Sequence, residues 1–263
     1  MKVAPKLDFS GNILDYTGKV VLITGGRSGI GAATAVAFAH QGAQVVIAGR
    51  SNADETLAKI KAIGKKEALF VKCDVAVAAD VENCINTIVE KFGRLDVAFN
   101  NSGLLPVMTD LVNQTEEDYD TIMDVDVKGV FLCMKYQIPV MLKQETGGAI
   151  INCGSVVSLV ADPGMSPYVA AKHAVAGLTK AASIEYIKQN IRINMLAPGF
   201  TATEMTAGWI NDPVFVEIVK GFNSAARWAE ADEMAGIVLF LGSEFNSFMA
   251  GAIIPVDAGQ VAH

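Results

Sequence analysis

The stretch KVVLITGGRSGIGAATAVAFAH, residues 19–40, decides the fold of this chain. It begins as a short apolar run, passes through a turn that contains Gly25, Gly29 and Gly31, and continues into an alanine-rich segment. A glycine-rich turn between a strand and a helix lets backbone N–H groups approach a pyrophosphate, whose charge the helix N-terminus favours. The same glycines would also suit a simple tight turn, so the surrounding pattern has to distinguish the two.

The rest of the chain repeats the same alternation of strand and helix, which predicts an α/β fold. Most predicted strands are rich in Val, Ile, Leu and Phe without polar alternation, as expected for parallel strands covered on both faces. The predicted strands are residues 20–24, 44–48, 68–72, 95–99, 149–153, 191–196 and 252–256. The predicted helices are residues 29–41, 53–63, 79–92, 116–144 with a break left open, 166–188 and 230–242. In this context the glycine turn predicts a dinucleotide site.

One domain over residues 18–263 accounts for this alternation, after a mostly polar N-terminal arm over residues 1–17. Residues 201–223 break the rhythm and predict a lid-like insertion made of two short helices split at Asp212-Pro213. No internal repeat or linker indicates a second domain.

Composition limits the classes of function. The net charge of −7 argues against a nucleic-acid partner. No apolar run reaches the roughly 18 residues of a membrane span, and the first residues lack the apolar stretch of a signal peptide, so we expect a soluble cytoplasmic protein. The four cysteines have no C-x-x-C spacing and only three histidines accompany them, which favours reduced thiols and no metal site.

The end of the second predicted strand indicates which dinucleotide is bound. An NAD site normally presents an Asp or Glu there to the ribose 2′-hydroxyl, but this chain has Gly49 and Arg50. Arg50, with Arg27 as a second candidate, can donate charge-assisted hydrogen bonds to a 2′-phosphate. We therefore expect NADP(H) rather than NAD, against the alternative of two solvated surface arginines.

Tyr168 and Lys172 are four residues apart on a predicted helix and therefore share one face. A lysine ammonium beside a phenol favours the phenolate and lowers the pKa of the tyrosine, which is suitable for general acid/base catalysis. The alternative is an aromatic ring packed under a lysine side chain.

Together these segments resemble a known family. The motifs are Thr24-Gly25-x-x-x-Gly29-x-Gly31, Cys73-Asp74-Val75, Asn100-Asn101-Ser102-Gly103, Ser155, Tyr168-x-x-x-Lys172, Asn194 and Pro198-Gly199. From about Tyr16 to Gly259 the chain resembles the single-domain branch of the short-chain dehydrogenase/reductase family. The resemblance implies a Rossmann-like, doubly wound, seven-stranded parallel sheet with helices on both faces. It also implies reversible hydride transfer between NAD(P)H and a carbonyl or alcohol carbon, often by a homotetramer.

The resemblance also implies roles for individual residues. Ser155 would hydrogen-bond the substrate carbonyl, Tyr168 would give that oxygen its proton, and Lys172 would hold the nicotinamide ribose. Residues implied to contact the cofactor are Gly25, Arg27, Ser28, Gly29, Ile30, Gly31, Arg50, Asp74, Val75, Asn101, Gly103, Tyr168, Lys172, Pro198, Gly199, Thr201 and Thr203. Asp74 would touch the adenine, and the turn over residues 100–103 would border the adenosine ribose. Three of these residues have structural alternatives: Asp74 as an Asx-turn residue, Asn100 as a sheet-end cap, and Ser155 with Ser158 as loop caps.

Asp126 departs from the family pattern, which usually has an asparagine at this place in the catalytic tetrad. A main-chain carbonyl that binds water survives any substitution, but a carboxylate near Lys172 and Tyr168 would stabilise the ammonium and oppose the phenolate. We expect retained activity with an alkaline-shifted pH profile. The alternative is a harmless pairing with Lys128 or another neighbour.

The sequence predicts the substrate and the assembly less specifically than the catalytic residues. Candidate pocket residues are mostly apolar, which favours a neutral, fairly hydrophobic ketone or secondary alcohol; they are Leu104, Leu105, Leu159, Val160, Ala161, Met165, Met205, Trp209 and Phe215. In the family, the helix over 166–188 and the one before it commonly form a dimer interface, although its small residues would also suit packing on its own sheet. A catalytically weakened nucleotide-binding protein and an enoyl thioester reductase remain as alternatives.

Overall fold

The computed structural model describes residues 12–105 and 107–262. Its strands, in chain order, are β1 (Val20–Thr24), β2 (Gln44–Gly49), β3 (Leu69–Lys72), β4 (Val97–Asn100), β5 (Gly148–Cys153), β6 (Ile191–Pro198), β7 (Thr201–Ala202), β8 (Ala229–Glu230) and β9 (Ile253–Val256). A seven-stranded, fully parallel sheet has the order β3-β2-β1-β4-β5-β6-β9. The predicted doubly wound α/β fold is confirmed, and each strand of this sheet overlaps a predicted one.

Helices connect the strands and cover both faces of the sheet. The α-helices are α1 (Gly29–His40), α2 (Asp54–Ile63), α3 (Ala78–Phe92), α4 (Glu116–Ile122), α5 (Gly129–Leu142), α6 (Ser166–Tyr186), α7 (Ala207–Ile210), α8 (Pro213–Phe222) and α9 (Ala231–Gly242). Short 3₁₀ turns span Leu111–Asn113, Val156–Ser158, Ile187–Gln189, Glu204–Thr206 and Glu244–Asn246. A π-helical segment, Met123–Lys128, joins α4 to α5 and is the break in the predicted helix over 116–144. No helix in the described ranges is long and apolar enough to cross a membrane.

Alternate residues of each strand face opposite sides of the sheet, which gives the molecule two cores. Leu22 packs with residues of α3, α5 and α6 on one side. Val21 and Ile23 pack with residues of α1, α2 and α9 on the other. Because both faces are covered, most strand residues are apolar without polar alternation, as the sequence predicted. All four cysteines are free thiols.

The chain enters the domain earlier than predicted. Residues 1–11 of the proposed arm lie outside the described residues. Tyr16 is 3% exposed, and its ring meets the Phe38 ring edge-on at a centroid distance of 4.7 Å. Tyr16 therefore belongs to the packed domain, although the arm was predicted to extend to residue 17.

Residues 201–223 form the two predicted short helices, α7 and α8. The Asp212 side chain accepts a hydrogen bond from the Val214 N–H group at 2.9 Å, and Pro213 occupies the first turn of α8. This cap starts α8 where the sequence predicted a split. The small parallel pair β7–β8, which the sequence did not indicate, connects the base of this segment to the chain before α9.

Candidate active site

A cavity of about 610 Å³ opens at the carboxyl ends of the strands. Chain order reverses between the neighbours β1 and β4, and this reversal is where open α/β sheets bind their ligands. Thr24 and Asn100 are paired at the ends of these two strands. The turn after β1 and the turn after β4 consequently border one crevice.

The glycine turn brings the backbone close to this crevice. Gly29 has φ +55°, a backbone conformation that residues other than glycine rarely adopt. A Cβ atom on Gly31 would collide with the carbonyl oxygen of Gly25. Gly31 therefore allows the turn to close on itself and packs beneath it, whereas Gly25 and Gly29 line the cavity.

The start of α1 fits a pyrophosphate group. Ser28 is the N-cap residue, its side chain makes no capping hydrogen bond, and no acidic residue lies in the first turn. The first N–H groups of the helix are thus left for an anion. Ser28 and Ile30 both line the cavity.

The turn after β4 is fastened to the glycine turn. The Asn101 N–H group donates to Thr24 Oγ1 at 3.0 Å, and Asn101 Nδ2 donates to the Thr24 carbonyl oxygen at 3.1 Å. Asn100 instead points into the core, where it exchanges hydrogen bonds with Gln137 at 3.1 and 2.7 Å. Asn100 is therefore a core residue at the end of β4, while Asn101 and Gly103 line the cavity.

Two arginines lie at the predicted nucleotide end, in different situations. Arg27 Nη2 forms an ion pair with Glu204 Oε2 at 2.9 Å. Arg50 is exposed at the end of β2 beside Gly49, and both line the cavity. The structure gives the Arg50 guanidinium no ion pair within residues 12–105 and 107–262.

Ser155, Tyr168 and Lys172 line the same cavity. Ser155 begins the 3₁₀ turn after β5, where its Oγ accepts a hydrogen bond from the Val157 N–H group at 3.3 Å. Tyr168 lies in the first turn of α6, and Lys172 follows one turn later with 4% of its surface exposed. The Lys172 Nζ atom is 5.2 Å from the centroid of the Tyr168 ring.

The pKa of Tyr168 differs from the expectation that Lys172 lowers it. Burial raises the pKa of Tyr168, and the nearby Asp126 and Cys153 raise it further. Lys172 and a hydrogen bond with Ser155 lower it, but the net pKa of Tyr168 is above its ordinary value. The predicted net lowering was wrong for the chain alone, because burial opposes the negative phenolate more strongly than the ammonium stabilises it.

Asp126 is fully buried and makes an ion pair with Lys172, with Oδ2 and Nζ 2.9 Å apart. Its Oδ1 accepts a hydrogen bond from the Leu104 N–H group at 2.8 Å. Burial favours the neutral amine, but Asp126 raises the pKa of Lys172 enough for the net shift to be upward. Lys128 pairs instead with Asp124 at 3.1 Å, so Lys128 is not the partner of Asp126.

Comparison with known proteins identifies the family. A family model described as enoyl-(acyl carrier protein) reductase matches residues 25–260. The chain is 41% identical over 248 residues to the A-factor type γ-butyrolactone 1′-reductase (1S-forming) of Streptomyces virginiae, covering 92% of this chain and 95% of that protein. The chain belongs to the short-chain dehydrogenase/reductase family.

Solved structures agree with this assignment to the short-chain dehydrogenase/reductase family. The crystal structure of levodione reductase superposes with a TM-score of 0.91 at 34% identity, covering 94% of this chain and 99% of that one. A gluconate 5-dehydrogenase from Burkholderia cenocepacia, in complex with NADP and tartrate, superposes with a TM-score of 0.89 at 31% identity, covering 96% and 98% of the two chains.

Most residues expected to contact a dinucleotide in this short-chain dehydrogenase/reductase do border the cavity. They are Gly25, Arg27, Ser28, Gly29, Ile30, Arg50, Asp74, Val75, Asn101, Gly103, Tyr168, Lys172, Pro198, Gly199, Thr201 and Thr203. Asp74 also accepts a hydrogen bond from the Ala76 N–H group at 3.0 Å, so its Asx-turn alternative is correct as well. Gly31 and Asp126 lie behind the lining.

The lining of the substrate region was predicted less completely. Among the candidates, those that border the cavity are Leu104, Leu105, Met165, Met205, Trp209 and Phe215. Leu159, Val160 and Ala161 are exposed instead, since they continue the turn after Ser155 towards solvent. Residues that the sequence analysis missed include Asp162, Phe200, Ile218 and Phe222. The sequence Asp162-Pro163-Gly164 is typical of a turn and indicates a bend in this loop.

Proposed function

We propose that this chain is an NADP(H)-dependent oxidoreductase that interconverts a ketone and a secondary alcohol. The observation that carries the proposal is the convergence of Ser155, Tyr168 and the buried Lys172 on the cavity that the glycine turn borders. Family membership supports oxidoreductase chemistry, and the apolar side chains of the cavity favour a neutral, fairly hydrophobic substrate.

In the proposed reaction, the Ser155 hydroxyl donates a hydrogen bond to the substrate carbonyl oxygen. The Tyr168 hydroxyl donates its proton to that same oxygen as the carbonyl carbon is reduced. When bound, NADPH supplies the hydride. Lys172 would hold the nicotinamide ribose, and the carboxamide would contact Pro198, Gly199, Thr201 and Thr203.

The raised pKa of Tyr168 keeps the phenol protonated near neutral pH. A protonated phenol can act as the general acid of carbonyl reduction, whereas alcohol oxidation requires the phenolate as a base. We therefore expect reduction to be efficient near neutral pH and oxidation to increase as the pH rises.

The decisive experiment is a screen of ketones and secondary alcohols, followed at the nicotinamide absorbance with NADPH or NADP⁺ and with NADH or NAD⁺. It should find NADPH-dependent reduction of hydrophobic ketones. Absence of turnover, with dinucleotide binding retained, would favour the alternative of a nucleotide-binding protein without catalysis.

Tyr168→Phe tests the assignment of the general acid. We expect it to lower turnover by roughly 10²- to 10⁴-fold, because general acid/base catalysis contributes about that much. NADPH binding and the unfolding midpoint should be unchanged. Tyr119→Phe, at a tyrosine that is 47% exposed on α4, is the matched control. If Tyr168→Phe keeps more than about a tenth of wild-type turnover, Tyr168 does not donate the proton.

The description of the matching family model supports one alternative reaction, reduction of a C=C bond in an acyl thioester. Product analysis with an α,β-unsaturated ketone and with an enoyl thioester separates the two reactions. The proposed activity produces an allylic alcohol from the unsaturated ketone, whereas an enoyl reductase produces the saturated thioester. The retained serine and Tyr-x-x-x-Lys spacing favour the first outcome.

A further inference from the structure

Two features of the cavity are used neither by the dinucleotide nor by the reacting carbonyl. The first is an aromatic cluster made of Phe200, Trp209 and Phe215. Trp209 and Phe215 are stacked at a centroid distance of 5.0 Å, and Phe200 lies 5.9 Å from each. All three line the cavity. Such a cluster offers a broad apolar surface to a cyclic or planar ligand.

The second feature is the carboxyl group of Asp162, which lines the cavity on the loop that precedes α6. This loop is fastened to the segment after β4. The Thr109 N–H group donates to the Gly164 carbonyl oxygen at 3.1 Å, and Gln114 Nε2 donates to the Thr109 carbonyl oxygen at 3.0 Å. The loop that carries Asp162 is consequently held against the segment after β4, with Asp162 in the lining of the cavity.

The Asp162 carboxyl group is partly buried and unpaired. No ion pair or hydrogen bond to its side chain occurs within the described ranges of the chain. Burial raises the pKa of this carboxyl group, with no neighbouring positive charge to oppose the effect. Because the carboxylate is partly desolvated in the cavity, a ligand that supplies a hydrogen-bond donor would be stabilised there.

We propose that Asp162 is a specificity-determining residue that accepts a hydrogen bond from a second oxygen function of the substrate, a hydroxyl group, while the apolar body of the substrate lies on the aromatic cluster. This inference rests on the proposed function and narrows its substrates to hydroxy ketones and the corresponding diols with a cyclic apolar body. A hydroxyl group fits better than an ammonium group, because bringing a charge into a mostly apolar cavity has the larger desolvation penalty.

Matched substrates test the proposal. The kcat/KM values for 2-hydroxycyclohexanone and cyclohexanone are measured with NADPH for the wild type, Asp162→Ala and Asp110→Ala. Asp110 is an exposed aspartate on the segment after β4 with no capping hydrogen bond, so it is a matched control. Comparing the ratio of the two kcat/KM values between proteins cancels the intrinsic difference in reactivity of the ketones.

We expect Asp162→Ala to lower the ratio of kcat/KM for 2-hydroxycyclohexanone to kcat/KM for cyclohexanone. The decrease should be roughly 10- to 100-fold, as the loss of a hydrogen bond to a charged group implies. The loss should fall on 2-hydroxycyclohexanone alone, and Asp110→Ala should keep the wild-type ratio. An unchanged ratio in Asp162→Ala would overturn the inference while leaving ketone reduction intact. A wild-type preference for 2-aminocyclohexanone over the hydroxy ketone would overturn the choice of a hydroxyl group.

A binding measurement keeps the inference testable if neither ketone is reduced, a result that would count against the proposed function itself. Calorimetric titration in the presence of NADP⁺ compares trans-1,2-cyclohexanediol with cyclohexanol for the wild type and Asp162→Ala. Tighter binding of the diol that disappears in Asp162→Ala supports the role of Asp162. Equal affinities for the two alcohols in the wild type overturn it.

Discussion

At the scale of single residues, the ion pair between Asp126 and Lys172 sets the electrostatics of the site. Both side chains are almost completely buried, and Gly103 lies over them: a Cβ there would be 3.3 Å from Asp126 Oδ2. Removing one member of a buried pair usually leaves an uncompensated charge, but asparagine keeps the shape and one acceptor oxygen. Asp126→Asn is therefore a mild way to remove the negative charge.

We expect Asp126→Asn to shift the pH profile towards lower pH. Asp126 is one of the groups that raise the pKa of Tyr168, so its neutralisation lowers that pKa. Alcohol oxidation, which needs the phenolate, should then begin at lower pH, and carbonyl reduction, which needs the phenol, should decline at lower pH. The measurement is kcat/KM against pH in both directions. Asp124→Asn, which removes an exposed ion pair with Lys128, is the control. Identical profiles for Asp126→Asn and wild type would show that the carboxylate is not involved.

Arg50 should decide the choice of dinucleotide. Its guanidinium is exposed in the cavity lining, whereas Arg27 is engaged by Glu204. Arg50→Ala should weaken NADPH binding by roughly one to two decades and leave NADH binding nearly unchanged, since one charge-assisted hydrogen bond contributes about 1.5 to 3 kcal/mol. Fluorescence titration with both dinucleotides checks this, and Arg27→Ala should have the smaller effect. Equal wild-type affinities for NADPH and NADH would contradict the proposed preference.

Residue identities and spacings were sufficient to predict most of the cavity lining, because the motifs lie at strand ends that must converge in a parallel sheet. Two properties of the site could not be predicted from the sequence. The partner of Asp126 depends on how α6 packs on the π-helical segment, and the raised pKa of Tyr168 depends on burial, which spacing does not reveal. Asp162 was missed because a lone carboxylate in a turn is ordinarily a surface residue.

At the scale of elements, α7 and α8 cover the cavity through the aromatic cluster. Phe200 lies two residues after the end of β6, so its ring contacts with Trp209 and Phe215 hold the two helices to the end of the central sheet. The sequence predicted these helices from Pro213 and the broken periodicity. The ring contacts could not be predicted, because they join residues whose relative placement depends on the turn after Gly199.

Trp209→Ala should impair substrate binding more than dinucleotide binding. Trp209 lines the cavity, so its truncation removes apolar surface that a hydrophobic ketone would bury, and kcat/KM for such a ketone should fall roughly tenfold or more. The NADPH dissociation constant should change much less. Val214→Ala, at a side chain on α8 that is 70% exposed, should behave as wild type. Parallel losses of NADPH affinity and kcat/KM would instead mean that the whole segment had come apart.

At the scale of the whole molecule, the alternation of apolar runs and amphipathic segments was enough to predict the sheet and its covering helices. The doubly wound arrangement came from the family resemblance, and the order of the strands was not predicted, because periodicity alone does not say that β4 lies beside β1. The sequence also did not place Tyr16 in the core, since its packing on Phe38 joins two distant parts of the chain.

The outer surfaces of α5 and α6 predict self-association. Phe131 is 46% exposed on α5 and Ile184 is 77% exposed on α6, and the family resemblance places a dimer interface on these two helices. We expect sedimentation equilibrium to give four times the 27.8 kDa of one chain. Phe131→Glu with Ile184→Glu should dissociate this assembly, because a charge buried in an apolar interface is strongly unfavourable. Val112→Glu, at a side chain that is 90% exposed on the segment after β4, should leave the mass unchanged. A wild-type mass of one chain, or an unaltered mass for the doubly charged variant, would exclude these two helices as the interface.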